Sequence, residues 1–334
     1  MRPSASPRCS RDPKWRATSS RRRTAARNHT VATERGPHGW LVIDKPPGMT
    51  SSQVVAAIRR RANAKVGHAG TLDPLATGVL PIAIGEATKT TSYAMSGRKH
   101  YRFRVRWGVA RATDDREGEV TAECEARPSR AAIEAVLPRF IGTIPQSPPA
   151  YSAIKLNGRR AYALSRADRA PSLERRPVEI LELRLIATPD PDHADCEARV
   201  GKGTYIRALA RDLGAALGTF AHVTELRRLC VGRFTENQAI ALDSITRRGH
   251  ISADYEHLLP IETALDDIPA LTLTEGETTR LRSGLSLRRG RPGEGADFDR
   301  LEEGTVVSAW HRRALVALAR IDHGHLRPLR VMNY

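Results

Sequence analysis

The run His68-Ala69-Gly70-Thr71-Leu72-Asp73-Pro74-Leu75-Ala76-Thr77-Gly78 restricts this chain more than any other stretch. It sets one carboxylate in a short polar loop, with a glycine on each side and a proline directly after it. Pro74 fixes its own φ and biases Asp73 toward an extended conformation. Gly70 and Gly78 permit close turns on either flank. The apolar stretch from Val79 to Ile84 reads as a buried strand that anchors the loop. The fold must therefore hold a rigid acid at one end of a buried strand. An isolated Asp-Pro usually marks a capped turn; with His68 close by, the same acid is also a candidate for chemistry.

The chain has 334 residues, enough for a full core and for two or three domains. No apolar run is long enough to cross a bilayer. The net charge of +17 points to a polyanionic partner. Residues 1–36 hold ten basic side chains against two acids, Asp12 and Glu34, so the tail carries +8 and the body the remaining +9. Rich in Arg, Ser, Thr and Ala and without periodicity, 1–36 is expected to be a disordered basic tail. Its composition fits an organelle transit peptide, a basic RNA-contacting arm or an early start codon. The four cysteines show neither zinc-site nor disulfide-framework spacing and fit a reducing compartment.

Order should begin with a strand at Trp40–Ile43, followed by a helix N-capped by Thr50 or Ser51 and running through Ala62. His100 to Trp107 alternates: Tyr101, Phe103, Val105 and Trp107 share one side, Arg102, Arg104 and Arg106 the other. That cationic face is either a solvated surface or a phosphate-facing strip, and the overall charge tilts the reading toward phosphate. A helix is expected from Ser129 to Phe140, then a proline-stiffened loop from Pro145 to Lys155. Strands follow at Val178–Ile186 and Cys196–Val200. Gly201 to Arg207 enters a helix with Gly214 as its stop. His222 to Cys230 reads as a further short helix. Beyond Asp267, short alternating strands interrupted by the Gly- and Arg-rich stretch Ser283–Gly295 read as a small β-rich domain.

The chain lacks a P-loop, an H-E-x-x-H and a G-x-S-x-G, which argues against nucleotidase, zinc hydrolase and serine esterase chemistry. Asp114, Asp115 and Glu117 fall in a turn closed by Gly118, where solvated acids are the ordinary reading. What remains is an acid (Asp73), a strand tyrosine (Tyr101), and Tyr205 with Arg207 at a helix entrance. Arginine's planar fork can keep a buried carboxylate ionised, and tyrosine offers a nucleobase both a stacking face and a polar tip.

These residues resemble a family. Gly67 to Gly78 looks like the catalytic motif of TruB-type tRNA pseudouridine synthases. Further stretches follow in the family's order: Asp44–Ser51, Gly97–Tyr101, Pro148–Lys155, Gly203–Arg207 and Ala221–Arg228. The resemblance covers roughly Trp40 to Phe234; the tail after Asp267 is more weakly similar to the family's PUA-like RNA-binding domain. It implies conversion of the T-loop uridine at tRNA position 55 to pseudouridine, without metal or cofactor. Asp73 matches the essential aspartate, acting as nucleophile on ribose or base, or as the base of a glycal route. Arg207 matches its arginine partner, and Tyr101 the tyrosine that stacks on the uracil and is a candidate for the carbon-5 proton. Tyr205 would line the pocket, and His68 would fill the gap left by the flipped nucleotide. Lys45 and Lys89 would support the loop or contact phosphate. After Gly108 this chain has Arg111-Ala112-Thr113-Asp114-Asp115 where the family pattern suggests a Thr-Asp-Thr-like run. That departure bears on substrate affinity more than on chemistry.

The expected fold class is α/β (α+β). A pseudouridine synthase domain over 37–266, on a mixed, mainly antiparallel sheet, precedes a small β-rich PUA-like domain over 267–334. The expected partner is the tRNA T stem-loop, with no membrane and no metal, for a monomer in the cytoplasm (or an organelle, if the tail is a transit peptide). Two rivals remain: a guide-RNA-dependent synthase of a box H/ACA particle, and a tRNA-binding folding factor whose catalysis is secondary.

Overall fold

The computed structural model describes residues 36–151, 155–156, 159–160, 174–247, 250–251, 255–288, 298 and 301–333. The expected disordered tail, except Gly36, lies outside these residues. So do Ser152 to Ile154 of the proline-stiffened loop and most of the Ser283–Gly295 stretch.

The described strands are β1 (Gly39–Lys45), β2 (Val66–His68), β3 (Thr77–Ile84), β4 (Lys99–Trp107), β5 (Val109–Arg111), β6 (Val120–Glu123) and β7 (Gly142–Gln146). There follow β8 (Lys155–Leu156), β9 (Arg159–Arg160), β10 (Arg176–Asp190), β11 (His193–Val200), β12 (Ala221–Val231), β13 (Phe234–Thr235) and β14 (Ile240–Ala241). The last are β15 (Ala270–Thr272), β16 (Leu287–Arg288), β17 (Val306–His311), β18 (Ala314–Asp322) and β19 (His325–Val331). The helices that matter most are α1 (Ser51–Ala62), α2 (Thr91–Ser96), α3 (Arg130–Val136) and α4 (Ile206–Ala216).

Ten of these strands form the main sheet, in the order β14-β1-β3-β12-β4-β11-β10-β7, with β13 beside β12 and β2 beside β3. β1–β14 and β3–β12 pair in parallel and the other neighbours antiparallel, so the sheet is mixed and mainly antiparallel, as expected. Alternate residues of β1 and β3 enter different cores, because successive side chains point to opposite faces. Leu41, Ile43, Leu80 and Ile82 join the core under α1 and α4, whereas Trp40, Val42, Val79 and Ala83 pack on the other side. The second sheet, β15-β17-β18-β19-β16, has its own core around Val307, Val316, Ile321 and Leu326. Leu315, Leu318 and Met332 from this β-rich part also enter the cluster of Trp40 and Val42.

α1 begins with the Thr50 cap. The Thr50 hydroxyl accepts from Gln53 N at 3.2 Å, and Gln53 Oε1 accepts from Thr50 N at 2.7 Å, a reciprocal capping box. Its last turn carries Arg59, Arg60 and Arg61 near the negative end of the helix dipole.

Three expectations need correction. His222 to Cys230 is not a helix but the middle of β12, between β3 and β4. Gly214 does not stop α4, which continues to Ala216. A Cβ on Gly214 would come within 2.7 Å of the Ala221 side chain, so the glycine serves helix–strand contact. The arginine face of β4 is no free phosphate strip. Arg102 pairs with Glu197 at 2.6 Å, and Arg104 with Asp195 at 2.7 Å and Glu225 at 3.1 Å, all across neighbouring strands. These pairs occupy the face opposite Tyr101, whereas the Arg106 Nε is buried without a hydrogen-bond partner among the described residues.

Candidate active site

The Asp73 loop runs from the end of β2 to the start of β3 and is held from three directions. Ser51, in the first turn of α1, accepts from Leu72 N at 2.9 Å and donates to Leu72 O at 3.2 Å. Lys45, at the end of β1, donates to the carbonyls of Pro46 (2.8 Å), Met49 (2.6 Å) and Pro74 (3.1 Å). From β12 the buried Arg228 donates to Val79 O at 2.8 Å, Gly70 O at 2.9 Å and Thr71 O at 3.4 Å. Gly78, at φ +97°, lets β3 and β12 meet: a Cβ there would lie 2.2 Å from Arg228 O. Sequence reasoning did not single out Arg228, since its place on a central strand was hidden.

Asp73 itself meets Arg207 in a bidentate fork. Nε donates to Oδ2 at 2.9 Å and Nη2 to Oδ1 at 3.1 Å. The arginine side chain is 5% exposed and the aspartate 34%, so the cation is sealed in while the carboxylate faces solvent. Arg207 also donates to Thr113 O at 2.6 Å and Tyr151 O at 3.0 Å, and its Nη1 lies 3.4 Å from Asp115 Oδ2. Here two of the three turn acids depart from expectation: Asp114 and Asp115 are withdrawn from solvent, whereas Glu117 is exposed. Asp115 is 3% exposed and accepts from Thr113 Oγ1 at 2.5 Å and Glu117 N at 3.0 Å. Asp114 accepts from Arg211 at 2.7 Å; burial pushes its carboxyl up against the pull of that arginine. Arg111, the departure from the family pattern, closes this hairpin by donating to Gly118 O at 2.7 Å.

Tyr101 on β4 is 8% exposed and shares an apolar cluster with Leu72, Leu75 and Ala76 of the loop and Ile206 of α4. Tyr205 precedes α4, and its backbone is fixed by the buried Gln146, whose amide oxygen accepts from Tyr205 N at 2.9 Å and whose nitrogen donates to Tyr205 O at 3.2 Å. His68 ends β2 with its Nδ1 buried and unpartnered among the described residues. Burial and the Arg228 charge lower its pKa, favouring the neutral ring. Lys89 stands elsewhere. It donates to Glu86 at 2.6 Å and to Val331 O at 2.7 Å, joining the segment after β3 to β19 and not to the Asp73 loop.

Burial lowers Lys45 to about 8 from 10.5, opposed by the carboxylates of Asp73 and Glu117. Its titration adds stability above pH 10.5 that is lost as pH falls through about 8. At pH 7 it is a buried ammonium held by three carbonyls. Lys45→Met is therefore expected to cost about 3 kcal/mol in denaturant unfolding, since three acceptors lose their donor; unchanged stability would remove Lys45 from the loop's support. Among the described residues, Glu303, Asp322 and His323 could approach a cation, but they lie at turns and a strand end of the β-rich part.

Comparison with known proteins fits this geometry. Residues 59–206 match the N-terminal domain of the TruB family of pseudouridylate synthases, and residues 207–266 match the tRNA pseudouridylate synthase B C-terminal domain. The tRNA pseudouridine synthase B of Rhodospirillum rubrum is 52% identical over 297 residues, covering 89% of this chain and 96% of that protein. The chain belongs to the TruB family. A second TruB relative, tRNA pseudouridine synthase B of Bradyrhizobium diazoefficiens, is 52% identical over 313 residues, covering 92% of this chain and 89% of its own. Among solved structures, a Cbf5-Nop10-Gar1 complex matches with TM-score 0.66 at 25% identity, over 88% of this chain and 84% of that one. An H/ACA RNP bound to a substrate RNA matches with TM-score 0.66 at 23% identity, over 89% and 85%, and shows the fold alone.

Proposed function

We propose that this TruB-family chain isomerises uridine to pseudouridine at position 55 in the T loop of tRNA, as a monomeric cytoplasmic enzyme. The observation that carries the site assignment is the Asp73 carboxylate, open to solvent and gripped from behind by the buried Arg207. The reaction breaks the bond from uracil N1 to ribose C1′, forms one from carbon 5 to C1′, moves the carbon-5 proton off and returns a proton to N1. Nothing is oxidised or reduced. Arg207 supplies the counter-charge of Asp73 and aims it through the two-pronged contact. The carboxylate then serves either as nucleophile, on ribose or base, or as the base that opens a glycal route. Tyr101 stacks on the extruded uracil and handles the carbon-5 proton, with Tyr205 lining the pocket and His68 taking the vacated place in the stack.

Purified protein with an unmodified tRNA transcript and no guide RNA tests this reading. Pseudouridine is mapped by reverse-transcription stops after carbodiimide treatment. A stop reporting position 55 is expected; none there overturns the assignment, and a requirement for guide RNA favours the box H/ACA rival.

With Nδ1 unpartnered among the described residues, His68 acts by shape. His68→Phe is expected to retain activity within about tenfold with an unchanged pH–rate profile, whereas a proton-transfer role would cost about 10²-fold or more. Single-turnover rates between pH 6 and 9 separate the two.

A further inference from the structure

α1 presents a second stripe that shares only Val55 with the core. Val54, Ala57, Ile58 and Ala62 face inward, whereas Ser52, Ala56 and Arg59 are exposed, with Val55 at the boundary between the two faces. Ser52, Val55, Ala56 and Arg59 follow the i, i+3, i+4, i+7 spacing of one helical face. Together with Val66, Gly67 and His68 of β2 they line an open cavity of about 410 Å³. Its floor is apolar, from Val55, Ala56 and Val66. Ser52 and His68 line it on the side of the Asp73 loop, whose Leu72 is held by Ser51. The far end carries Arg59, whose Nη2 donates to Val66 O at 3.2 Å, with the exposed Arg60 and Lys65 near it in sequence. Gly67 adds no side chain to the wall, and no acid lines the cavity.

We infer that this α1–β2 groove is a subsite for the RNA strand flanking the target uridine, one nucleobase lying on the Val55–Val66 floor and its phosphate meeting Arg59. The inference rests on the proposed function for the identity of the RNA and goes beyond it in placing a neighbouring nucleotide. Three features favour a nucleotide as occupant. The groove is continuous with the loop that bears Asp73. Its charge is complementary to phosphate, which dominates nucleic-acid affinity. Its combination of an apolar floor with a hydroxyl, an imidazole and a guanidinium at the ends suits an unstacked base, which needs a flat surface and a few polar contacts. His68 would then have two neighbours: the vacated stack on one side and this base on the other.

Ala56→Trp fills the groove and Arg59→Glu reverses its charge, and both positions are exposed, so folding should survive. With unmodified tRNA transcript, each is expected to raise KM about tenfold while the saturating single-turnover rate stays near wild type. Arg59→Glu should also reduce the slope of log affinity against log salt by about 1. Arg130→Glu, an equal charge reversal on α3, should leave KM unchanged. A photo-crosslinking residue at position 56 should attach to the nucleotide next to the target, in wild type and in Asp73→Asn alike. Wild-type KM in both groove variants, an equal rise with Arg130→Glu, or crosslinking only to distant nucleotides would each overturn the inference. Crosslinking reads binding without turnover. A crosslink beside position 55 with no pseudouridine formed would sink the proposed reaction and leave the groove standing.

Discussion

Replacing Asp73 with Asn is expected to lower pseudouridine formation about 10⁴-fold while tRNA affinity stays within about tenfold of wild type. The amide matches the carboxylate in size but offers neither a nucleophilic oxygen nor a base. Asp73 is the exposed member of its ion pair, so the substitution should disturb folding little. Product is read by carbodiimide mapping and affinity by filter binding with the same transcript. A variant that loses binding in parallel with turnover would assign Asp73 to the shape of the loop instead of to chemistry. Retained turnover would remove it from the reaction altogether.

Removing Arg207 should be costly in a different way. Its guanidinium is the shared cation of Asp73 and Asp115, and Asp115 is buried. Arg207→Met leaves a buried carboxylate without its counter-charge and frees the carbonyls of Thr113 and Tyr151. The expected loss is about 3–5 kcal/mol in unfolding free energy together with loss of turnover. Arg207→Met combined with Asp115→Asn should recover much of the stability and none of the activity. An Arg207→Met variant as stable as wild type would show that the pair does not anchor the loop.

The loop, its acid and the strand behind it were legible because their determinants are local: a proline, two glycines and an apolar run. The half-buried alternation of β4 was legible for the same reason. β12 was not. Its pairing with β4 shifts register between Val223 and Glu225 and again between Arg228 and Cys230, and each shift breaks the two-residue period by which a strand is recognised. Val223, Leu226 and Cys230 then imitate helical spacing. The misreading of β12 also concealed Arg228, whose role depends on lying beneath Gly70 and Val79. Asp114 and Asp115 were misjudged because their turn is ordinary in composition, whereas their burial is imposed by Arg207 and Arg211 on α4, far along the chain. Lys89 shows the converse: a basic residue near the motif in sequence, spent on Glu86 and the β19 carbonyl instead.

The cluster behind β1 bears on how the protein is made. Trp40 and Val42 share a cluster with Phe234, which lies 5.0 Å from the Trp40 ring, and with Leu315, Leu318 and Met332 near the end of the chain. During synthesis β1 leaves the ribosome long before those last three residues exist, so this cluster stays incomplete until nearly the whole chain has been translated. Contacts of such long sequence separation slow folding and leave apolar surface accessible to other chains in the interval. The first strand of the catalytic sheet thus completes its burial among the last events of folding.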